Sequence, residues 1–209
     1  MKILGISSSG RKGRMVEQTV SKIVDKLEGE KKIISLSGKK VNGCTGCTAC
    51  VTDNVCKQID DWNEIGEALQ WADVIVFGAP NYYGGINAIG HAVLERTFAF
   101  RHGGTYNLEG KHGIVVTTSR SGGENDPVRN TIEMFMKSNK MKVLGHVAVE
   151  GYNQCYTCGI GKDCLQGNVV RTHGILDKIE AHHLPNELCE QPKTLAQIDE
   201  LLNSINEHL

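Results

Sequence analysis

The 209-residue sequence has no long apolar segment, no excess of charge of one sign, and no internal repeat or low-complexity linker. The apolar run near the start, MKILGISSSG, is too short for a signal peptide, and no segment approaches the roughly 20 apolar residues of a membrane-spanning helix. The 23 basic and 24 acidic side chains are interspersed, which favours neither nucleic acid nor an anionic membrane as a partner. We therefore expect a cytoplasmic protein whose partners are small molecules or other proteins.

The sequence contains eight cysteines. A chain of this length buries a large core without disulfides, and thiols stay reduced in the cytoplasm. The cysteines therefore indicate metal binding or catalysis. Four of them lie close together in the segment CTGCTACVTDNVC, which runs from Cys44 to Cys56.

Apolar residues switch between strand and helix spacing along most of the chain. The spacing predicts strands over residues 2–6, 32–36, 74–77, 113–118 and 142–149. Helical spacing separates these strands, and Asp126 followed by Pro127 marks the start of one helix. Strands that alternate with helices over short connections predict an α/β fold with a doubly wound, five-stranded parallel sheet in the flavodoxin-like order.

The composition changes after this predicted domain. We assign residues 1–150 to the flavodoxin-like domain, with a cysteine-rich insertion at 41–60, and residues 151–209 to an extension rich in Cys and Gly. The extension ends in a predicted helix whose first turn carries a capping box from Thr194 to Gln197.

Ligands bind to such sheets at the carboxyl ends of the strands. The loop after the first strand, Ser7 to Gly13, combines small residues and hydroxyls with Arg11 and Lys12 at a helix N-terminus, which suits a phosphate group. It lacks the Lys-Ser/Thr of a Walker loop, and no G-x-G-x-x-G follows the strand. The alternative interpretation is a serine-rich turn with solvated charges.

Two further loops follow the third and fourth strands. The first of these, PNYYGGIN, joins aromatic side chains that can stack on a planar heterocycle to glycines that let the backbone approach its edge. The other, SRSGGE, is again rich in glycine. Taken alone, the PNYYGGIN loop is also explained as a turn with packed tyrosines, but the three loops together predict one binding site at one sheet edge.

Several of these segments resemble segments of known protein families. ILGISSSGRKG, GAPNYYGGINA and TTSRSGGEN resemble the NADPH-dependent FMN reductase branch of the flavodoxin-like proteins, and CTGCTACVTDNVC resembles the inserted motif of the archaeal-type iron-sulfur flavoproteins. The resemblance implies FMN, with its phosphate held by Ser7, Ser9, Arg11 and Lys12. It implies that the isoalloxazine lies beside Pro80, Asn81, Tyr82, Tyr83, Gly84, Ser119, Arg120, Gly122 and Gly123. One departure is Met15-Val16 where that family has Asn-Thr, so two polar contacts to FMN are absent.

The first cysteine segment has the spacing of an iron-sulfur ligand set. Cys44, Cys47, Cys50 and Cys56 are separated by two, two and five residues, and a C-x2-C-x2-C run with a nearby fourth Cys is typical of compact [4Fe–4S] sites. Structural zinc sites usually take two well-separated Cys pairs, although zinc remains an alternative. Unmetallated or redox-active cysteines are the third interpretation.

Flavin and cluster together predict electron transfer, because FMN exchanges one or two electrons and the cluster exchanges one at a time. The resemblance implies a ferredoxin-like donor, with dioxygen, peroxide or another small oxidant as acceptor, and a homo-oligomer, dimer or tetramer. No residue is identified as a catalytic acid or base. Two alternative functions remain: a NAD(P)H-dependent FMN or quinone reductase with structural zinc in the cysteine loop, or a non-enzymatic flavodoxin-like carrier or redox sensor.

A second cysteine segment lies outside the resemblance. In CYTCGIGKDC, residues Cys155, Cys158 and Cys164 repeat the spacing of Cys47, Cys50 and Cys56. We predict a second metal centre here, zinc or iron-sulfur, with Cys189 or His173 as the fourth ligand. The alternative is a loop of free thiols or a subunit contact.

Overall fold

The computed structural model describes residues 1–119 and 126–206. The described strands, in chain order, are β1 (Lys2–Ser7), β2 (Glu30–Ser35), β3 (Val74–Tyr82), β4 (Gly85–Ile86), β5 (His112–Ser119) and β6 (Lys142–Glu150). Five of them form a parallel sheet in the order β2-β1-β3-β5-β6, and the two-residue β4 pairs antiparallel with the end of β3. The prediction of a flavodoxin-like, five-stranded parallel sheet is confirmed.

Helices cover both faces of this sheet. The described helices are α1 (Met15–Lys26), α2 (Trp62–Trp71), α3 (Ala88–Arg96), α4 (Pro127–Ser138), α5 (Asn168–His173) and α6 (Pro192–Asn206). Apolar residues of α1 and α6 share one core with the sheet, and those of α2, α3 and α4 share the other. Alternate residues of β3 supply the two cores, because successive side chains of a strand point to opposite faces.

Glycine in β3 brings helix α1 close to the sheet. A Cβ at Gly78 would lie 2.6 Å from Cγ2 of Val20 and 2.7 Å from Cγ1 of Val16. A larger residue would push α1 outward and would move the loop that precedes it. The sequence of the strand therefore helps to fix where the helix N-terminus lies relative to the sheet edge.

Two helix starts test the predicted capping signals. Asp126 caps α4 as predicted, since its side chain accepts a hydrogen bond from the Val128 backbone N–H. The predicted capping box from Thr194 to Gln197 is wrong, because α6 already begins at Pro192. Both side chains instead bond to Ala148 of β6: Thr194 donates to its carbonyl at 3.1 Å, and Gln197 accepts from its N–H at 3.2 Å. They attach α6 to the edge strand.

Within the part of the chain that the structure describes, none of the helices has both the length and the apolar character needed to cross a bilayer.

Candidate functional site

The strand register brings the predicted loops to one edge of the sheet. Ser7 at the end of β1 pairs with Gly78 of β3, and Pro80 of β3 pairs with Thr118 of β5. The chain also continues the pairing beyond β1, since the Ser8 N–H donates to the Gly78 carbonyl at 2.8 Å. The loops after β1, β3 and β5 therefore begin side by side, as parallel pairing requires.

The serines of the first loop are buried. Ser7 and Ser8 are fully buried and Ser9 is 4% exposed. Among the described residues, the Ser7 hydroxyl has no hydrogen-bond partner, which is unusual for a buried polar group. Ser9 and Arg11 line one small cavity, so this loop places a hydroxyl and a cation together, which suits a phosphate group.

A buried contact ties the first loop to the start of α3. The Ser8 hydroxyl donates to Oδ1 of Asn87 at 2.7 Å, and Nδ2 of Asn87 donates to the Ser8 carbonyl at 2.6 Å. Gly90 makes room for this pair, because a Cβ there would lie 2.7 Å from the Ser8 hydroxyl. These two hydrogen bonds fix the position of Ser8 relative to the start of α3.

The two basic residues of the first loop have different environments. Nη2 of Arg11 donates to the Tyr152 carbonyl at 2.7 Å, and its guanidinium lies 5.2 Å from the centre of the Tyr152 ring. Lys12 is exposed. The extension after β6 thus folds back over the loop and positions Arg11, which the sequence interpretation did not anticipate.

The second loop is a tight hairpin turn between β3 and β4. Tyr83 and Gly84 are its two central residues and both have positive φ, 55° and 77°. Asn81 supports the turn, since its Oδ1 accepts the Gly84 N–H at 2.9 Å. Tyr82 is 39% exposed and Tyr83 fully so, which leaves both rings available for contact with a ligand or a partner. A tyrosine with positive φ is strained, and such strain is often found at binding sites.

The third loop is only partly described. Ser119 ends β5 at the predicted edge. Arg120, Gly122 and Gly123 lie outside the described residues, so their assignment to the flavin ring stays a prediction. On the far side of this loop, Oδ2 of the buried Asp126 has no partner within residues 1–119 and 126–206.

A cavity of about 580 Å³ opens at this edge. The sheet contributes Arg11, Pro80, Asn81 and Tyr82 from the predicted site. The extension contributes the opposite wall, which comprises Tyr152, Asn153, Gln154, Tyr156, Asn168, Thr172, His173, His182, His183, Leu184 and Pro185. A smaller adjacent cavity reaches Ser9 and the Met15-Val16 pair, and shares Arg11 and Pro80 with the larger one. Of the nine residues predicted for the first two loops, the larger cavity therefore collects four, and the smaller one adds Ser9. Neither cavity is lined by Ser7, Lys12, Tyr83 or Gly84.

The cysteine insertion is a closed loop between β2 and α2. The Asp61 N–H donates to the Lys40 carbonyl at 3.0 Å, and the Asn42 N–H donates to Oδ2 of Asp60 at 2.9 Å. These bonds join the two ends of the segment at 41–60. The insertion also contacts the core, since Cys50 is buried and packs in the same cluster as Trp62.

The four predicted ligands of this loop line one pocket. Cys44, Cys47, Cys50 and Cys56 surround it together with Arg96, Phe98 and Ala99. Nε of Arg96 donates to Sγ of Cys56 at 3.1 Å, and Nε2 of His102 lies 3.2 Å from Sγ of Cys50. The sequence interpretation found the thiols but missed Arg96 and His102, which lie in and after α3 without any motif of their own.

Arg96 is a fully buried cation at this pocket. Its Nη1 donates to Oδ2 of Asp60 at 2.9 Å and to the Asn42 carbonyl at 3.0 Å. Burial alone raises the pKa of Asp60, but bonds from Arg96, Asn42 and Trp62 outweigh it and lower the pKa below its usual value. The second terminal nitrogen of Arg96, Nη2, is buried with no partner among the described residues. Both N–H groups of Nη2 therefore lack an acceptor within residues 1–119 and 126–206.

The local environment distinguishes two of the thiols. Hydrogen bonding from the Ala49 backbone and the Thr45 side chain lowers the pKa of Cys47, which favours the thiolate. Burial raises the pKa of Cys50 above its usual value. Metal binding would supply the positive charge that a buried Cys50 thiolate needs.

The pocket offers four thiols to a metal. A tetrahedral zinc and a [4Fe–4S] cluster both take four thiolates, so the donor set fits either group. In the ranges 1–119 and 126–206, no group of three or more His, Cys, Asp or Glu side chains is arranged around a single ion position. The preference for a cluster therefore rests on the C-x2-C-x2-C spacing of the sequence.

The second cysteine segment lies in the extension at the start of α5. Cys155 and Cys164 are half-buried and Cys158 is exposed. Cys189 is exposed and lies in a separate short helical turn before α6. The binding of metal by Cys155, Cys158 and Cys164 stays a prediction.

Comparison with known proteins identifies relatives of this arrangement. The model of the family NADPH-dependent FMN reductase matches residues 1–154. An iron-sulfur flavoprotein of Methanocaldococcus jannaschii is 34% identical over 152 residues, which cover 69% of this chain and 76% of the relative. An iron-sulfur flavoprotein of Methanosarcina thermophila is 33% identical over 150 residues, which cover 69% and 78%.

Solved structures show the same fold at low sequence identity. RosB with bound 8-demethyl-8-formylriboflavin-5'-phosphate has a TM-score of 0.56 at 14% identity, and the match covers 72% of this chain but 65% of RosB. The NADH:FMN oxidoreductase EmoB has a TM-score of 0.51 at 14% identity, with 71% and 75% covered. Residues 155–209, which include all cysteines of the extension, lie beyond the residues that the family model matches.

Proposed function

We propose that this chain, which belongs to the NADPH-dependent FMN reductase family and within it to the iron-sulfur flavoproteins, passes electrons between a one-electron donor protein, a [4Fe–4S] cluster and FMN. The observation that carries the proposal is the pocket lined by Cys44, Cys47, Cys50 and Cys56 on the same domain as a phosphate-type loop. FMN and the cluster, when bound, supply exchange between two-electron and one-electron carriers.

The first loop and the cavity suit FMN. Arg11 lines the cavity and supplies positive charge, and Ser9 of the same loop lines the smaller cavity next to Arg11. Tyr82 and Pro80 give the planar and apolar surface on which a flavin ring can rest, and Tyr152 narrows access from solvent. Within the residues that the structure describes, we find a single loop of this kind, which supports a mononucleotide over a dinucleotide.

The residues around the cysteine pocket suit a negatively charged cluster. Arg96 offers Nε–H to Cys56, and its buried Nη2 has no partner among the described residues. Hydrogen bonds to ligand sulfur and nearby positive charge both stabilise the more reduced state of such a centre. Ala99, which is 3% exposed, gives the pocket a buried apolar wall. The C-x2-C-x2-C spacing supports [4Fe–4S] as the cluster type.

The partners follow from the exposed surface near the pocket. Val51, Val55, Ile59 and Phe98 are apolar and 45–94% exposed. An apolar surface beside a cluster suits another protein, and we propose that a ferredoxin-like donor or a second copy of this chain contacts it. As acceptor we propose dioxygen, peroxide or another small oxidant, and as assembly a homo-oligomer.

Replacement of Cys47 tests this function. The variant Cys47→Ala removes one ligand that lies at the surface, so its iron and acid-labile sulfide should fall sharply while FMN stays bound. Turnover with reduced ferredoxin should collapse. The matched control is Cys189→Ala, an exposed thiol outside both segments, which should keep iron, FMN and rate. Full iron content and an unchanged rate in Cys47→Ala would refute the ligand set.

A NAD(P)H-dependent FMN or quinone reductase is the second candidate, because the matching family model describes such an enzyme. In that case the cysteine loop would hold a structural zinc. Zinc at one ion per chain, together with steady turnover on NADPH after Cys47→Ala, would favour this candidate over electron transfer through a cluster.

A further inference from the structure

The extension after β6 is ordered with almost no core of its own. Among residues 151–185, only Gly161, Gly167 and Val169 are buried. Ile160, Leu165 and Ile175 are 66%, 73% and 68% exposed. Small folded segments without a hydrophobic core usually depend on disulfides or on metal. The cysteines of this segment are free, which leaves metal as the cross-link to consider.

Two of the cysteines contact neighbouring residues of the backbone. Sγ of Cys155 accepts the Asn168 N–H at 3.4 Å. The preceding residue, Gly167, donates its N–H to the Cys164 carbonyl at 2.8 Å, and a Cβ on Gly167 would lie 3.4 Å from Sγ of Cys164. The fold therefore brings together thiols that are nine positions apart in sequence. Cys158 is tied to the same site, since its thiol donates to the Cys155 carbonyl at 3.4 Å.

Glycines let the chain fold tightly around these thiols. A Cβ at Gly161 would lie 1.8 Å from the Cys155 carbonyl oxygen, so no other residue fits there. Gly159 has a φ of 89°, a conformation that other residues rarely adopt. Close backbone approach around thiolates is the arrangement that lets N–H groups bond to the sulfurs of an iron-sulfur centre. Asn168 already shows one such N–H contact.

We propose that Cys155, Cys158 and Cys164 bind a second iron-sulfur centre. Their spacing repeats that of Cys47, Cys50 and Cys56, the set proposed to hold the first cluster. Because of this repeated spacing, the proposal commits to a cluster and not to zinc.

His173 is the fourth ligand in this assignment. Its Nε2 lies 3.1 Å from the hydroxyl of Tyr156, the residue next to Cys155, so the end of α5 contacts the cysteine segment. Histidine replaces cysteine as a ligand in some iron-sulfur centres. Cys189 belongs to a different turn, which packs against α1 and α6.

The centre would border the large cavity. Gln154, Tyr156, Asn168 and His173 line that cavity opposite Pro80 and Tyr82. The binding of metal does not depend on the proposed function, but the role of this location does. With FMN in the cavity, the subunit would hold an electron-transfer centre next to its own flavin.

Metal analysis of anaerobically purified full-length protein tests the proposal. We expect about eight irons per chain in the parent, since each [4Fe–4S] site holds four. The variant Cys155→Ser/Cys158→Ser/Cys164→Ser should lose about half of the iron and sulfide and keep the electron-paramagnetic signal of the first cluster. The variant Cys47→Ala should lose the other half, so the two losses are independent of each other and of any assay of turnover.

A control variant and a replacement variant accompany this experiment. Cys189→Ser should keep all of the iron. If the triple variant does not fold, Cys158→Ser alone serves in its place, because Cys158 is exposed and should lose the same half of the iron. Iron and sulfide equal to those of the parent would overturn the proposal, as would loss of one zinc per chain instead of iron. Unchanged iron in Cys47→Ala would contradict the first cluster only and leave the second one testable.

Discussion

Removal of Arg96 should destabilise the protein far more than removal of an exposed charge. The Arg96 side chain is 0% exposed and that of Asp60 is 5% exposed, and they form an ion pair at 2.9 Å. In Arg96→Met, Asp60 keeps its bonds from the Asn42 and Trp62 N–H groups but loses its counter-charge. Removing one member of a buried pair costs about 3–5 kcal/mol.

The expected effect is large enough for a melting experiment. For a chain of this size each kcal/mol lowers Tm by about 2–4 °C, so Arg96→Met should melt about 6–20 °C below the parent. The matched control is Lys26→Met, which breaks an ion pair with Asp199 whose side chains are 42% and 57% exposed. An exposed pair contributes about 0–1 kcal/mol, which corresponds to at most a few degrees.

A double variant separates charge from packing. Arg96→Met/Asp60→Asn removes both charges, so it should recover a large part of the lost Tm if the unpaired carboxylate causes the damage. Scanning calorimetry under anaerobic conditions, with iron measured on each sample, reports both stability and cluster retention. Equal shifts in Arg96→Met and Lys26→Met, or no recovery in the double variant, would refute the reasoning.

Three further predictions concern the flavin site and the sheet. Arg11→Glu places negative charge at the phosphate loop and should lower the FMN content, measured by absorbance. The control Lys22→Glu, on α1, should keep its FMN. Equal FMN content in the two variants would contradict the assignment of the site. Gly90→Ala pushes against the Ser8 hydroxyl and should weaken FMN binding in a fluorescence titration, with an unchanged Kd as the contrary result. Burial lowers the pKa of His146 to about 4, so the folded state binds fewer protons than the unfolded state below the ordinary pKa of about 6.5. The free energy of unfolding should therefore fall as pH drops from about 6.5 to 4, by about 1–2 kcal/mol after allowance for partial exposure. Urea unfolding of His146→Gln should lack this part of the pH dependence, and identical slopes in both proteins would show that His146 is not responsible.

The sheet and its helices were predictable because local patterns govern them. The continuous apolar run at Val74 to Phe77 requires a strand covered on both faces, and that strand is the centre of the sheet. Asp126 and Pro127 mark a helix start through contacts within one turn. Where a side chain had a partner far away, the local rule failed: Thr194 has the sequence of a cap but bonds to Ala148, because α6 packs on the edge of the sheet.

The sequence by itself determined the thiol segments, the phosphate-type loop and the order of the elements, since each depends on residues that are neighbours along the chain. Only the tertiary structure decided that Arg96 and His102 contact Cys56 and Cys50, since these pairs are 40 and 52 positions apart and no local pattern encodes their approach. The same reason explains the second wall of the cavity. Tyr152 and His173 lie in a segment that looks like a polar tail, and they face the flavin loops because the chain turns back over the sheet edge after β6.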